Sequence, residues 1–450
     1  MIRYRARWVV PISSPPIRDG VVAVQGSRIE FVGTLDDAPP GSDDDLGDVL
    51  LLPGLVNAHT HLELTAMRGF LEDLDFRRWI LRLTNARRAV LDRDALLDSA
   101  RYGLEEGIRA GITSYADTSE SGVVMQAMRE AGVRGIMYQE VFGPDPRQSA
   151  ESIAGLREKI SGLRYLETPL VRVGVSPHAP YTVSDDLFRA TTELARELAL
   201  PMAVHIAESA LEQQLVVDAS GAFADGLRRR GIGLDRRASS SIQLLADLRV
   251  LDVAPLLIHC VRVDAGDIAT IAASQSAVAH CPVSNAKLGH GIAPLTELLA
   301  AGIVVGLGSD SMASNNRMDM LEEARGTLLG QRARMRSHET PEAIDVLEMA
   351  TIGGARAIGV DQLVGTLEAG KQADLAAFAL DGLGPIQDPI TTAIFSVTGV
   401  RARFVAVAGK PLLRDGRLVA PRSGLSQRMQ SLGDSLADWL ANGGEMNGVV

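Results

Sequence analysis

From Leu51 to Leu307 the chain alternates two hydrophobic patterns. Short apolar runs of five to nine residues occur at Leu51–Ala58, Ile112–Ala116, Val133–Val141, Val171–Val175, Pro201–Ile206, Pro255–His259, Ala277–Cys281 and Ile303–Leu307. Their length and their Val and Ile content predict strands. Between most of them, apolar positions recur at spacings of three and four. Arg101–Ala110, Met125–Ala131, Asp185–Leu198, Asp264–Ala273 and Pro294–Ala301 are examples, and they predict helices. Eight strands in βα alternation predict an α/β protein built on a TIM-type (β/α)8 barrel. A doubly wound sheet is the alternative, but no GxGxxG follows an early strand.

The two ends read differently. Trp8-Val9-Val10, Gly20–Val24 and Arg28–Gly33 are β-rich runs separated by turn residues, with Asp43-Asp44-Asp45 expected as a solvated turn. After Gly359 the chain becomes strand-like again, at Gly365–Gly370, Ala373–Phe378 and Arg403–Val407. The ends together predict one small β domain interrupted by the barrel. The expected divisions are 1–55, 56–359, 360–421 and 422–450, the last a C-terminal amphipathic helix and tail. Leu425, Met429, Leu432, Leu436 and Trp439 form its apolar stripe, for packing on the barrel or on a second copy in a homodimer.

Composition narrows the functional classes. With 46% hydrophobic and 22% charged residues over 450 positions, the chain can bury a large core. A net charge of −11 argues against nucleic acid or an anionic membrane surface as partner. No apolar run reaches the roughly 18 residues of a membrane helix. Two cysteines make no disulfide framework, which fits a cytoplasmic protein.

The chemistry gathers at strand ends. His59 and His61 close the first strand, and residues i and i+2 of a strand share a face, so both imidazoles can hold one ion. His205, His259 and His280 end strands five, six and seven, and Asp310 follows strand eight. In barrels of this kind the active site lies at the carboxyl ends of the strands. A His, His, His, Asp set suits one borderline divalent ion, zinc first and iron second. Strand four ends Ser176-Pro177-His178 with no lysine to bridge a second ion. Glu208, three residues past His205, is placed to move a proton between water and substrate. His61-Leu62-Glu63 matches H-x-E, but the accompanying P-C-x-x-C of the zinc-dependent cytidine deaminases is missing, as is H-E-x-x-H. His290 and His338 read as loop or helix-surface residues. Lys287 and Arg317 read as loop ion pairs or as contacts for a substrate anion.

These residues stand in a known pattern. Pro53–His61 resembles the opening signature of the amidohydrolase superfamily. Ser176–Tyr181, His205–Glu208, His280–Asn285 and Gly308–Asp310 resemble its aminohydrolase branch of deaminases and triazine hydrolases, and Gly365–Leu375 resembles the return into its small β domain. The resemblance implies a distorted TIM barrel with a small β-sandwich domain formed by both chain ends. It implies His59, His61, His205 and Asp310 as metal ligands, with Glu208, His259 and Asp310 catalytic. The implied substrate contacts are His178, Gln139 and Glu63, with His280 either lining the pocket or structural. Glu63 is expected on a continuing strand, facing either a substrate donor or a protein arginine. The implied reaction is hydrolytic removal of an exocyclic amine from a purine-like small molecule, of the adenosine or aminofutalosine type. A triazine or a cyclic amide is the alternative substrate, and a non-catalytic scaffold a remote one.

Overall fold

The computed structural model describes residues 1–444. The N-terminal segment supplies β1 (Ile2–Val9), β2 (Ile17–Gln25), β3 (Arg28–Thr34), β4 (Ser42–Asp45) and β5 (Val49–Pro53). The middle supplies β6 (Leu55–Thr60), β7 (Ile112–Ser119), β8 (Arg134–Val141), β9 (Val171–Pro177), β10 (Ala203–Ile206), β11 (Leu256–His259), β12 (Val278–His280) and β13 (Val305–Leu307). The end supplies β14 (Leu375–Ala379), β15 (Ala402–Val407), β16 (Lys410–Arg414) and β17 (Arg417–Leu418).

All eight apolar runs of the middle segment contain a strand, with helices between most of them. β6 to β9 form one parallel sheet in sequence order, and β10 to β13 form a second. Parallel bridges join the two sheets at both edges, Val175 to Met202 and Thr60 to Asp310. The strand order never reverses, so the switch point of a doubly wound sheet is missing. Residues from β6, β7, β8, β10, β11 and β12 meet in one apolar cluster that includes Val56, Ala116, Ile136, Tyr138, Ala203, Ile258 and Ala279. A larger apolar layer lies between strands and helices.

The first apolar run is two strands, not one. β5 pairs with β1 and β14, whereas β6 pairs with β7. The joint is Gly54, where a Cβ would come within 2.2 Å of Thr113 Oγ1. Burial on both sides of the joint leaves no polar break for sequence reading to detect.

The remaining strands make one nine-stranded sheet from both chain ends, in the order β17-β16-β15-β14-β5-β1-β2-β3, with β4 beside β1. Three strand steps of about 4.8 Å separate β1 from β15. Yet the rings of Tyr4 and Phe404 lie 5.0 Å apart, so the sheet curls over its own core. Asp43-Asp44-Asp45 is strand, not a solvated turn: Arg3 and Arg414 pair with Asp43 and Asp44 at 2.6 Å. Gly365–Gly370 is turn rather than strand, with both terminal glycines at positive φ, 98° and 91°. The helix Leu425–Ala441 packs on the helices Phe76–Val90 and Arg93–Arg109, burying Leu425 and Leu436. Among the described residues, no helix is long and apolar enough to cross a membrane.

A buried ion pair ties the two assemblies together. Arg134, at the start of β8, donates from Nε and Nη2 to Asp374 at 3.0 and 3.1 Å, and Nη2 also reaches Gln372. Asp374 accepts the Ala408 amide as well. Removing one partner strands the other charge out of water, at a cost of about 3–5 kcal/mol. Arg134→Met is therefore expected to lower unfolding stability by that amount in denaturant titration, and Arg134→Met with Asp374→Leu to recover much of it.

Candidate metal and catalytic site

Four side chains from three strand ends converge. His61 Nε2 lies 3.2 Å from His205 Nε2 and 3.6 Å from Asp310 Oδ1, and His59 Nε2 lies 3.3 Å from the same oxygen. A tetrahedral ion with ligands about 2.0–2.1 Å away spaces those ligands about 3.3 Å apart. Three separations, from 3.2 to 3.6 Å, match that spacing, so these donors can close on one such ion. His59 Nε2 is buried with no hydrogen-bond partner among the described residues, as expected of an atom that serves as a ligand.

Local geometry brings these atoms inward. In β6 the register against β7 shifts between Asn57 and Thr60, so one extra residue rotates the strand. His59 and His61 thereby face the site although Val56 and Ala58 already face the interior cluster. Asn57 holds the bulge by donating to Ser309 Oγ at 2.7 Å and accepting the Ser309 amide at 3.0 Å. Gly308 lets the strands close up, since a Cβ there would meet His59 Cβ at 2.8 Å. Ala207, His259, Cys260 and Asp310 all adopt positive φ. Strain of this sort in non-glycine residues collects where a fold fixes functional groups.

The protein also fixes orientation and charge. His205 Nδ1 donates to the His178 carbonyl at 3.2 Å, which leaves Nε2 as a lone-pair donor. Thr118 Oγ1 lies 3.2 Å from His61 Nδ1. Asp310 accepts from Ser284, Ser311 and Ser314. Burial lowers the affinity of His59, His61 and His205 for protons, taking His61 to about 4, so the rings stay neutral. Burial opposes ionisation of Asp310, but the imidazole rings packed around it, His59 first and then His259 and His61, outweigh it and hold the carboxyl well below its usual range.

Glu208 and His259 stand beside this cluster. His259 Nδ1 bonds Asn285 Oδ1 at 2.9 Å, and its Nε2 lies 3.6 Å from Glu208 Oε1. Tyr181 donates to Glu208 at 3.5 Å. Burial works against the charge on Glu208, and the rings of His259 and His290 overcome it, so its pKa falls below the usual value. A cavity of about 470 Å³ opens over the group, with His61, His178, His205, Glu208, His259 and Asp310 on its lining and Phe76, Trp79, Tyr181 and Phe142 among its walls.

Several expectations need correction. Glu63 does not lie on a continuing strand: β6 ends at Thr60 and Leu62–Met67 is a 3-10 helix. Its carboxylate pairs with Arg87 at 3.0 Å and accepts from Ser119, Ser121 and the Glu120 and Ser121 amides, so the arginine alternative is the one adopted. Gln139 is buried outside the cavity and donates to the carbonyls of Glu120 and Glu140. Its neighbour Glu140 lines the cavity instead. His280 is buried and does not line the cavity either; Ser284 and Asn285 of the same motif do the orienting. His290 is not a surface residue, since it is buried 3.3 Å from Glu208. His338 is exposed, while Lys287 pairs with Glu72 and Arg317 with Glu322. His178 lines the cavity, with Nδ1 2.7 Å from Thr182 Oγ1.

Two carboxyls in the supporting layer had no sequence signal. Glu212 accepts the amides of Ala207 and Glu208, fixing the strained turn that presents Glu208. Glu323 accepts from Asn315, which in turn donates to the Ser309 carbonyl.

The model of the amidohydrolase family matches residues 50–412. A 5-methylthioadenosine/S-adenosylhomocysteine deaminase of Moorella thermoacetica is 33% identical over 417 residues, 91% of this chain and 93% of the relative. A 5'-deoxyadenosine deaminase of Methanothermobacter thermautotrophicus is 33% identical over 89% of this chain and 91% of its own. Among solved structures, an adenosine deaminase from Xanthomonas campestris with bound zinc superposes with a TM-score of 0.86 at 28% identity, covering 97% of this chain and 98% of the other.

Two outcomes follow from the geometry. His59→Ala and His61→Ala should each lose bound divalent metal, measured by elemental analysis of the purified protein, while circular dichroism stays native. Burial raises Glu323 to about 8 from 4.5. The folded state then holds this proton more tightly than the unfolded chain, so stability falls as pH rises from about 4.5 to 8. Melting temperatures across that window should decline less steeply in Glu323→Gln than in the wild type.

Proposed function

We propose, for a chain that belongs to the amidohydrolase family, the hydrolytic deamination of an adenosine-type nucleoside or a related derivative, with ammonia as product. The observation that carries this reading is the convergence of His59, His61, His205 and Asp310, with separations of 3.2–3.6 Å between His61 and His205, His61 and Asp310, and His59 and Asp310, and with Glu208 and His259 beside them on one cavity. Deaminases of this substrate type among the relatives support it.

The residues divide the work as follows. His59, His61, His205 and Asp310 hold one divalent ion, zinc by the donor set and by the zinc of the Xanthomonas campestris structure. What such an ion supplies when bound is Lewis acidity, which makes water nucleophilic near neutral pH. Glu208 takes a proton from the attacking water and delivers it to the ring nitrogen next to the amine-bearing carbon. His259, tied through Nδ1 to Asn285, and Asp310 handle the second proton as ammonia departs. His178 and the aromatic walls hold the heterocycle flat against these groups.

The same reading gives the architecture its finer form. Residues 56–359 are a distorted (β/α)8 barrel, a reading supported by the bridges at both sheet edges. Residues 1–55 and 360–421 are a β-sandwich domain, a reading supported by the close approach of Tyr4 and Phe404. Residues 422–450 are a C-terminal helix and tail, of which 445–450 lie outside the described residues.

Metal-replete protein should release ammonia from adenosine, 5'-deoxyadenosine, 5'-methylthioadenosine, S-adenosylhomocysteine or aminofutalosine in a coupled assay. Glu208→Gln should keep its metal and lose about 10²–10⁴-fold in kcat. Chloride release from a chlorotriazine with no ammonia from any nucleoside would replace this reading, and a Glu208→Gln rate within a few-fold of wild type would move the proton shuttle elsewhere.

A further inference from the structure

Three cavity carboxyls, Glu63, Glu120 and Glu140, take no part in the reaction above, and Glu140 is the one of them with no hydrogen bond or ion pair among the described residues. It ends β8 on the same face as Ile136 and Tyr138, which belong to the interior apolar cluster, so alternation points it inward. It lines the cavity but is only 7% exposed. Its Oε1 is fully enclosed, and among the described residues neither oxygen has a hydrogen bond or ion pair. One carboxylate oxygen lies within 4.8 Å of ring nitrogens of both His178 and His205.

The neighbours make this isolation informative. Glu63 is satisfied by Arg87, Ser119 and Ser121, and Glu120 is paired with Arg87 at 2.6 Å. The arginine that neutralises this corner is therefore committed to two other acids, and Glu140 is left out. A buried carboxyl with no partner destabilises a fold. Such a group is tolerated where a ligand completes its hydrogen bonds.

Resting on the deaminase reading, we propose that Glu140 is a specificity-determining residue, which accepts a hydrogen bond from a donor on the substrate, either a sugar hydroxyl or an N–H of the base. Its carboxyl lies beside His178 and His205, so that donor meets the cavity at the wall these rings form. The carboxyl then selects for compounds bearing the donor, because a compound without it leaves the buried oxygen unsatisfied.

The test compares Glu140→Gln and Glu140→Met with wild type in the metal-replete protein. Metal content should be unchanged. Melting temperature without ligand should be equal to wild type or higher, since removing a stranded acid relieves the empty fold. With the best adenosine-type substrate, kcat/KM should fall at least tenfold. The 2'-deoxy, 3'-deoxy and 5'-deoxy analogues and an N-methylated base then identify the donor: the analogue lacking it should show nearly the same kcat/KM in wild type and variants. Equal losses across all analogues, or activity lost together with a lower melting temperature, would make Glu140 a structural residue and overturn the proposal. Unchanged activity in both variants would overturn it as well, with the deaminase reading intact. Wild-type protein that neither turns over these nucleosides nor binds adenosine by calorimetry would remove both.

Discussion

Everything at this site follows from one constraint: three imidazoles and a carboxylate converge at one cavity, with His61 3.2 Å from His205, and Asp310 3.3 Å from His59 and 3.6 Å from His61. Burial strips the protons from the rings, which leaves their lone pairs pointing at a common centre. Asp310 keeps its charge through His59 and is gripped by three serine-residue donors. Such a group is stable only if something positive completes it, and the spacing of 3.2–3.6 Å is that of ligands around a tetrahedral ion. The bulge in β6, the bare Cα of Gly308 and the positive φ at Asp310 all serve this convergence. Each would be a defect in a strand whose only task was packing.

The supporting layer explains why motifs extend beyond the residues that do the chemistry. His280–Asn285 drew attention through its histidine, yet the histidine sits behind the wall. Ser284 and Asn285, one helical turn on, grip Asp310 and His259. A motif at the end of β12 therefore controls groups that belong to β11 and to the loop after β13. Glu212 does the same for Glu208 from the first turn of the following helix.

How much of this the sequence disclosed depends on how local each cause is. The strands were legible because a buried parallel strand is a short apolar run, and His59 with His61 was legible because period two is a property of the strand itself. Gln139 and Glu140 were interchanged because a single step along a strand swaps faces, and nothing in Tyr138-Gln139-Glu140 says which parity looks inward. Glu63 was misplaced for a related reason. The period-two projection was carried past Thr60, where the chain had already turned into a 3-10 helix. His290 was beyond local reading altogether. Only the folded chain brings that loop against Phe76 and Glu208.

Those two corrections have the same physical content. One corner of the cavity holds Glu63, Glu120 and Glu140 with Arg87 as the cation between the first two. A Glu63 on a continued strand would have left Arg87 with Glu120 as its partner. The 3-10 turn after β6 instead commits Arg87 to Glu63 as well, and the acid on β8 has no hydrogen bond or ion pair among the described residues. The turn that ends the metal-binding strand thus also decides which carboxyl is left to meet a substrate. Residues 60–67, which close the strand bearing His59, thereby set the partners of the carboxyls at this corner.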